Sequence, residues 1–112
     1  MLNVGEGVNM AYVYLSVAVL LEVVATASLP LSHNFTRLWP TVAVLAAYAL
    51  SFYALTFAMR DLPVAVVYAS WSGVGVFLIA VAGQVFYGQH LTWPVILGLV
   101  LIVAGVVLVN AG

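Results

Sequence analysis

Glu22 is the residue of this 112-residue chain whose chemistry most needs a reason. It interrupts the apolar run Tyr14-Leu-Ser-Val-Ala-Val-Leu-Leu-Glu22-Val-Val-Ala-Thr26. At ~1.5 Å per helical residue it lies ~15 Å from either Tyr12 or Leu31, the middle of a hydrocarbon layer ~30 Å thick. A carboxylate there costs several kcal/mol unless it faces an aqueous cavity or a partner. Burial disfavours the charged form of a carboxyl, so such a group is suited to trade a proton for a cation. On a helix its neighbours at i±3, i±4 and i±7 are Leu15, Ala18, Val19, Ala25, Thr26 and Leu29. Ala18, Ala25 and Thr26 are small and leave the carboxyl accessible. No lysine or arginine falls in an apolar segment, so the counter-charge is a proton or a cation brought from outside. The structural alternative is a protonated acid hydrogen-bonded between helices.

A second set of residues suits cations. Tyr68, Trp71 and Gly75 stand at i, i+3 and i+7, one face of a helix, with Trp71 well inside its apolar segment. Aromatic faces attract organic cations, tryptophan best, and more strongly when desolvated. Ordinary packing is the plainer role for one such tryptophan; the unpaired acid in the same small chain favours a site. Tyr48, Ser51 and Tyr53 add polar groups whose usual role is interhelical hydrogen bonding. Gly73 and Gly75 mark a weakened stretch able to bend or to admit a close neighbour. Gly98 and Gly105 lie seven apart with Leu101 and Ala104 between them, a small-residue groove for close helix packing within or between protomers.

These residues need helices in a membrane to position them. Hydrophobic residues make up 67% of the chain and charged ones 4%, against roughly half and ~25% in soluble domains. Disorder is excluded on the same grounds. Two arginines and no lysine make no basic footprint for nucleic acid. With no cysteine there is neither a disulfide framework nor a thiolate metal site. Four apolar segments, about 12–31, 41–59, 63–87 and 94–110, predict an all-α protein with four transmembrane helices in one domain, 1–112. Short loops make it up-down-up-down. Pro63 and Pro94 suit first turns. Trp39, Trp93, Tyr12, Tyr14 and Tyr87 fall near span ends, as an aromatic belt should. The runs lack the alternation of a membrane β-barrel. The residues before Tyr12 lack a basic n-region, so no cleaved signal peptide is expected, and Met1 or Met10 serves as the start.

Arg37 falls in the first loop and Arg60 in the second, on opposite sides of the membrane. Orientation follows Lys/Arg excess, and here the count is balanced. The chain is therefore a candidate for insertion both ways round, unless histidines, the amino terminus or a partner settle one orientation. Two copies inserted oppositely would make the inverted pair that many secondary transporters reach by internal repeats.

Several motifs in order resemble the small multidrug resistance family over about Tyr12–Asn110. They are Leu-Glu-Val-Val-Ala-Thr around Glu22, Asn34-Phe35-Thr36-Arg37-Leu38-Trp39-Pro40, and Tyr48 with Ser51-Phe52. Then come Tyr68-Ala69-Ser70-Trp71-Ser72-Gly73-Val74-Gly75, Gly88-Gln89 and Gly98-Leu-Val-Leu-Ile-Val-Ala-Gly105. The resemblance implies an antiparallel, dual-topology homodimer in the bacterial inner membrane. It implies that Glu22 of both protomers forms a shared proton and substrate site. Trp71 and Tyr68 would line the chamber, with Tyr12, Ala18, Thr26, Tyr48 and Ser51 contributing. Gly73 and Gly75 would be a hinge, and Gly98 and Gly105 would hold the dimer. The chain departs from the family where Pro30 replaces a common lysine, Ala65 and Val67 replace glycine and alanine, Ser70 replaces an aliphatic residue and His90 stands at a commonly basic position.

The expected activity is exchange of protons for lipophilic or quaternary ammonium cations, without cofactor, metal or enzyme chemistry. No nucleotide-binding loop is present to use ATP. Small residues after the acid resemble the multidrug branch; the alternatives are a guanidinium exporter or a non-transporting subunit of a heteromer.

Overall fold

A computed structural model describes residues 4–112, with side chains from Glu6 onward; Met1, one of the two candidate starts, lies outside the described residues. Four helices follow one another: α1 Val4–Ser28, α2 Leu38–Ala58, α3 Val64–Tyr87 and α4 Trp93–Ala111. A 3-10 turn, Leu29–Ser32, closes α1. All four are long and apolar enough to cross a membrane. In lipid the helix satisfies every backbone group internally, which is why continuous apolar runs adopt it. The connections 33–37, 59–63 and 88–92 are each five residues long. Five residues reach at most ~18 Å, too short to recross a ~30 Å core, so successive helices run antiparallel.

The helices outrun the apolar segments at two places. α1 begins at Val4 rather than near Tyr12, because helix formation does not stop where hydropathy does; Glu6 in its first turn complements the helix dipole. α2 begins at Leu38, since Pro40 falls in the first turn, where its missing N–H has no helical acceptor to bond anyway. Trp39 and Trp93 are about three-quarters exposed at the helix ends, as a belt requires. Tyr14 behaves differently: it is half-buried and stacked on Phe57, ring centroids 5.0 Å apart.

α1 packs along α2 and against α3, while α4 rests mainly on α3. The core joins Leu15, Ala18 and Val19 of α1 to Ala54, Leu55 and Ala58 of α2 and Val67 of α3. No residue of α4 is buried. An added Cβ at Gly98 or Gly105 would meet nothing within 4 Å, so that small-residue face is open in the protomer. α3 runs unbroken through Gly73 and Gly75.

The first loop turns on Ser32, which is 1% exposed. His33, Asn34 and Phe35 all take left-handed φ values, 48°, 58° and 64°. Ser32 holds them: its hydroxyl accepts the Phe35 N–H at 3.2 Å, and its carbonyl accepts the N–H groups of Thr36 and Arg37.

Pro30 carries no N–H, so the Ala27 carbonyl three residues before it loses a 3-10 donor. Tyr87, at the end of α3, supplies one: its hydroxyl donates to Ala27 O at 2.5 Å. Tyr87→Phe is therefore expected to cost about 1 kcal/mol. The same change in a Pro30→Ala protein, whose backbone N–H is restored, should cost much less. Denaturation of the four proteins of this double-mutant cycle checks it.

Candidate functional site

Glu22 is half-buried on the face of α1 that meets α2 and α3. Its Oε1 accepts the Thr26 hydroxyl at 2.6 Å. Thr26 Oγ1 lies 2.7 Å from the Tyr48 hydroxyl of α2. With Glu22 ionised, the single Thr26 proton goes to the carboxylate, so Tyr48 donates to Thr26. The spacing i, i+4 on α1 places Thr26 one turn beyond the acid, and small Ala25 leaves α2 room to approach.

On the α3 side the carboxyl lies against glycine. A Cβ on Gly75 would stand 2.9 Å from Glu22 Oε2. The missing side chain is what lets the carboxyl lie against α3. Gly73, two residues earlier, faces α4 instead: a Cβ there would stand 2.3 Å from Val106 Cγ2. The two glycines thus admit different neighbours on different faces. Both arginines lie in the loops flanking α2, so Glu22 meets no basic side chain within the spans.

A row of rings leads away from this hydroxyl–carboxyl chain. Tyr48 stacks with Phe52 at 6.4 Å, Phe52 meets Trp71 at 5.9 Å, and Trp71 meets Tyr68 at 6.0 Å. Phe52 and Tyr68 are more than half exposed, so the row presents aromatic surface beside the acid. Trp71 Nε1 is buried and has no hydrogen-bond partner among the described residues. Leaving such a donor unpaired costs about 1–3 kcal/mol, so the site carries a donor free to be used.

Glu22, Thr26, Tyr48, Trp71, Tyr68 and Gly75 are thus brought together. Ala18 and Ser51 lie in the neighbouring seam, both fully buried, where the Ser51 hydroxyl donates to the Ala18 carbonyl at 2.6 Å. They fasten α1 to α2. Tyr12 belongs to another cluster. Its hydroxyl donates to Asn110 Oδ1 of α4 at 2.8 Å, and Asn110 Nδ2 donates to Ser70 Oγ of α3 at 2.8 Å. These groups border a cavity of about 390 Å³ between α1, α3 and α4. Sequence reasoning quoted Phe52 within a motif but gave neither it nor Asn110 a part in the site. The Tyr48–Phe52 spacing of i, i+4 was the signal for the first; the Asn110 partners lie 98 and 40 residues away and leave no local trace. Among the described residues no group of three or more acids and histidines could hold a metal.

Fold and site together define a class: a small four-helix membrane protein built around one intramembrane acid and an aromatic row. The family model described as Small Multidrug Resistance protein matches residues 10–102, and the chain belongs to that family. It is 43% identical over 99 residues to the quaternary ammonium compound-resistance protein QacF of Klebsiella aerogenes, covering 88% of this chain and 90% of that one. The same figures hold for the multidrug transporter EmrE of Escherichia coli K12. Identity to the multidrug transporter PA4990 of Pseudomonas aeruginosa is 44% over the same coverage. The chain is accordingly a transport protein and not an enzyme, a multi-pass protein of the bacterial inner membrane.

Proposed function

We propose that the protein exports lipophilic or quaternary ammonium cations in exchange for protons, by alternating access around paired Glu22 carboxyls in an antiparallel homodimer. The observation that carries this reading is the Glu22 carboxyl. It is half-buried at mid-span, hydrogen-bonded to Thr26, fitted against Gly75 and without a basic neighbour in the spans. Protons neutralise the empty site. A cation settles against the Trp71, Tyr68 and Phe52 rings and takes over that neutralisation. Because protons and cation compete for one carboxyl pair, the two fluxes are coupled.

The substrate class draws support from relatives named for quaternary ammonium and multidrug resistance. The dimer draws support from α4, whose open Gly98–Gly105 face suits a second copy.

The test is binding of tetraphenylphosphonium to the purified protein across pH. Affinity is expected to fall by about tenfold per pH unit for each proton displaced, below the pH at which the carboxyls take up protons. Protons should be released on binding. Binding that is unchanged across pH would sink the coupling. No binding at any pH would turn attention to guanidinium or to a heteromeric role.

A further inference from the structure

The exchange proposed at Glu22 leaves a large cavity unused, the space of about 390 Å³ between α1, α3 and α4. Glu22 is not among the residues that border it. Its walls are apolar: Leu15, Val19, Leu20, Val74, Leu78 and Val106. Tyr12, Ser16, Ser70 and Asn110 supply its polar part. A mostly apolar cavity of this size with a few polar groups is the usual form of a small-molecule site.

The cavity is graded along the helices. Asn110 stands next to the last residue of α4, and its bond to Tyr12 is exposed, so the two lie at the membrane edge. At ~1.5 Å per residue, Leu20 lies ~12 Å further in along α1, and Leu78 ~12 Å beyond Ser70 along α3. The space therefore suits an amphipathic guest, with its polar head at the edge and its apolar body inward. Glu22 is ~15 Å along α1 from Tyr12, out of reach of a compact guest whose head is at Tyr12. Tyr12 is 38% exposed, so a charged head there keeps its contact with interfacial water.

The hydrogen bonds among the polar residues decide what that head must be. Asn110 Nδ2 donates to the Val106 carbonyl at 2.9 Å and to Ser70 Oγ at 2.8 Å. A carbonyl only accepts, so the amide cannot be turned round, and Oδ1 is the atom that meets Tyr12. Tyr12 must therefore spend its hydroxyl proton on Asn110, at 2.8 Å. The Ser16 hydroxyl proton is spent on the Tyr12 carbonyl, also at 2.8 Å. A guest meets Tyr12 and Ser16 as acceptors; among these residues Ser70 keeps the uncommitted proton. A primary ammonium group has three protons to donate and no lone pair, and the Tyr12 ring attracts its charge. A quaternary head donates nothing, and an alcohol brings lone pairs of its own. We propose that the cavity between α1, α3 and α4 is a second binding site, for a compact lipophilic primary ammonium ion. It does not rest on proton coupling at Glu22. Ser70 anchors the Asn110 amide and stands where the family resemblance has an aliphatic residue, so the preference is this chain's own.

The test compares 1-adamantylammonium with its N,N,N-trimethyl analogue, by equilibrium dialysis against the protein in lipid nanodiscs, with empty nanodiscs as the blank and a pH dye for proton release. The primary ammonium ion is expected to bind saturably and about tenfold or more tighter than the analogue. It should release no proton, bind about equally well to Glu22→Gln, and shift the NMR signal of the Asn110 side-chain amide. Ser16→Leu removes an acceptor and adds bulk at an exposed position of the cavity wall. It should weaken amine binding about tenfold and leave tetraphenylphosphonium binding as it was. Ser70→Val frees the Asn110 amide, so the preference for the primary over the trimethyl head should shrink. Equal affinity for the two probes, or no saturable binding, would overturn the site. Proton release with the amine, or loss of binding in Glu22→Gln, would place the amine at the acid and overturn it too.

Discussion

Glu22→Gln is expected to abolish proton-driven cation uptake while leaving the protein folded. The reason lies in what glutamine keeps. Its amide oxygen still accepts the Thr26 hydroxyl, now held at 2.6 Å by the acid, and the side chain has the same length against Gly75. The loss is confined to the charge and the proton. A permanently neutral site offers a lipophilic cation no counter-charge and gives up no proton when one arrives. Because Glu22 is half-buried, the lost counter-charge should show as a fall in cation affinity of about tenfold or more. Glu22→Asp is a sharper probe. The carboxyl survives but retracts by one methylene, away from Thr26 and Gly75, so proton binding persists with altered pH dependence and weaker cation binding. Uptake into vesicles under an imposed pH gradient, with circular dichroism for the fold, checks both. Uptake by the glutamine variant at wild-type rate would remove Glu22 from the coupling.

The second large effect is expected at Gly73. Gly73→Ala places a methyl 2.3 Å from Val106 Cγ2 and 3.3 Å from Ile102 Cγ2. Valine is stiff at χ1 and cannot swing away cheaply, so α4 must shift instead. Overpacking of this kind costs ~1–3 kcal/mol. The ~1 kcal/mol that alanine gains over glycine as a helix former offsets only part of that. Because α4 rests mainly on α3, the shift carries Asn110 away from Ser70 and Tyr12 and disturbs the open face that a second copy would use. Dimerisation in lipid, followed by energy transfer between labelled copies, should weaken by about tenfold. Gly73→Ala combined with Val106→Ala removes the clash and should recover it. Gly75→Ala should behave differently: it presses on Glu22 Oε2, lowers cation affinity and leaves α4 seated. A Gly73→Ala defect that Val106→Ala does not repair would locate the damage in α3 itself.

The spans and the acid were legible because they depend on composition and on distance along one helix. A lone carboxylate ten residues from a span end has one depth, whatever it packs against. The stretch before Tyr12 was not legible as helix, since hydropathy measures what lipid tolerates and not where helical hydrogen bonding stops. Phe52 stood in a quoted motif but received no role for a related reason: one more aromatic in an apolar segment carries little contrast, and its i, i+4 spacing from Tyr48 was the one local signal. Ser51 read by residue type as an interhelical hydrogen bonder, and its hydroxyl does bond the Ala18 carbonyl inside the α1–α2 seam; the chamber position was what the resemblance implied. Whether a hydroxyl faces a cavity or a backbone depends on the neighbouring helix, and one segment's sequence does not contain that. Gly73 and Gly75 read alike by spacing; their different partners, Val106 and Glu22, are set by which helices flank α3.

The bond from Tyr87 to the Ala27 carbonyl also has a consequence in time. The two residues are 60 apart in the chain. At roughly 5–20 residues per second, the ribosome needs several seconds to make the second after the first. Through that interval the Ala27 carbonyl lacks the Tyr87 donor, and Pro30 has no N–H to give it. The bond can form only once α3 has been made. The order of synthesis thus makes α3 the element that completes α1.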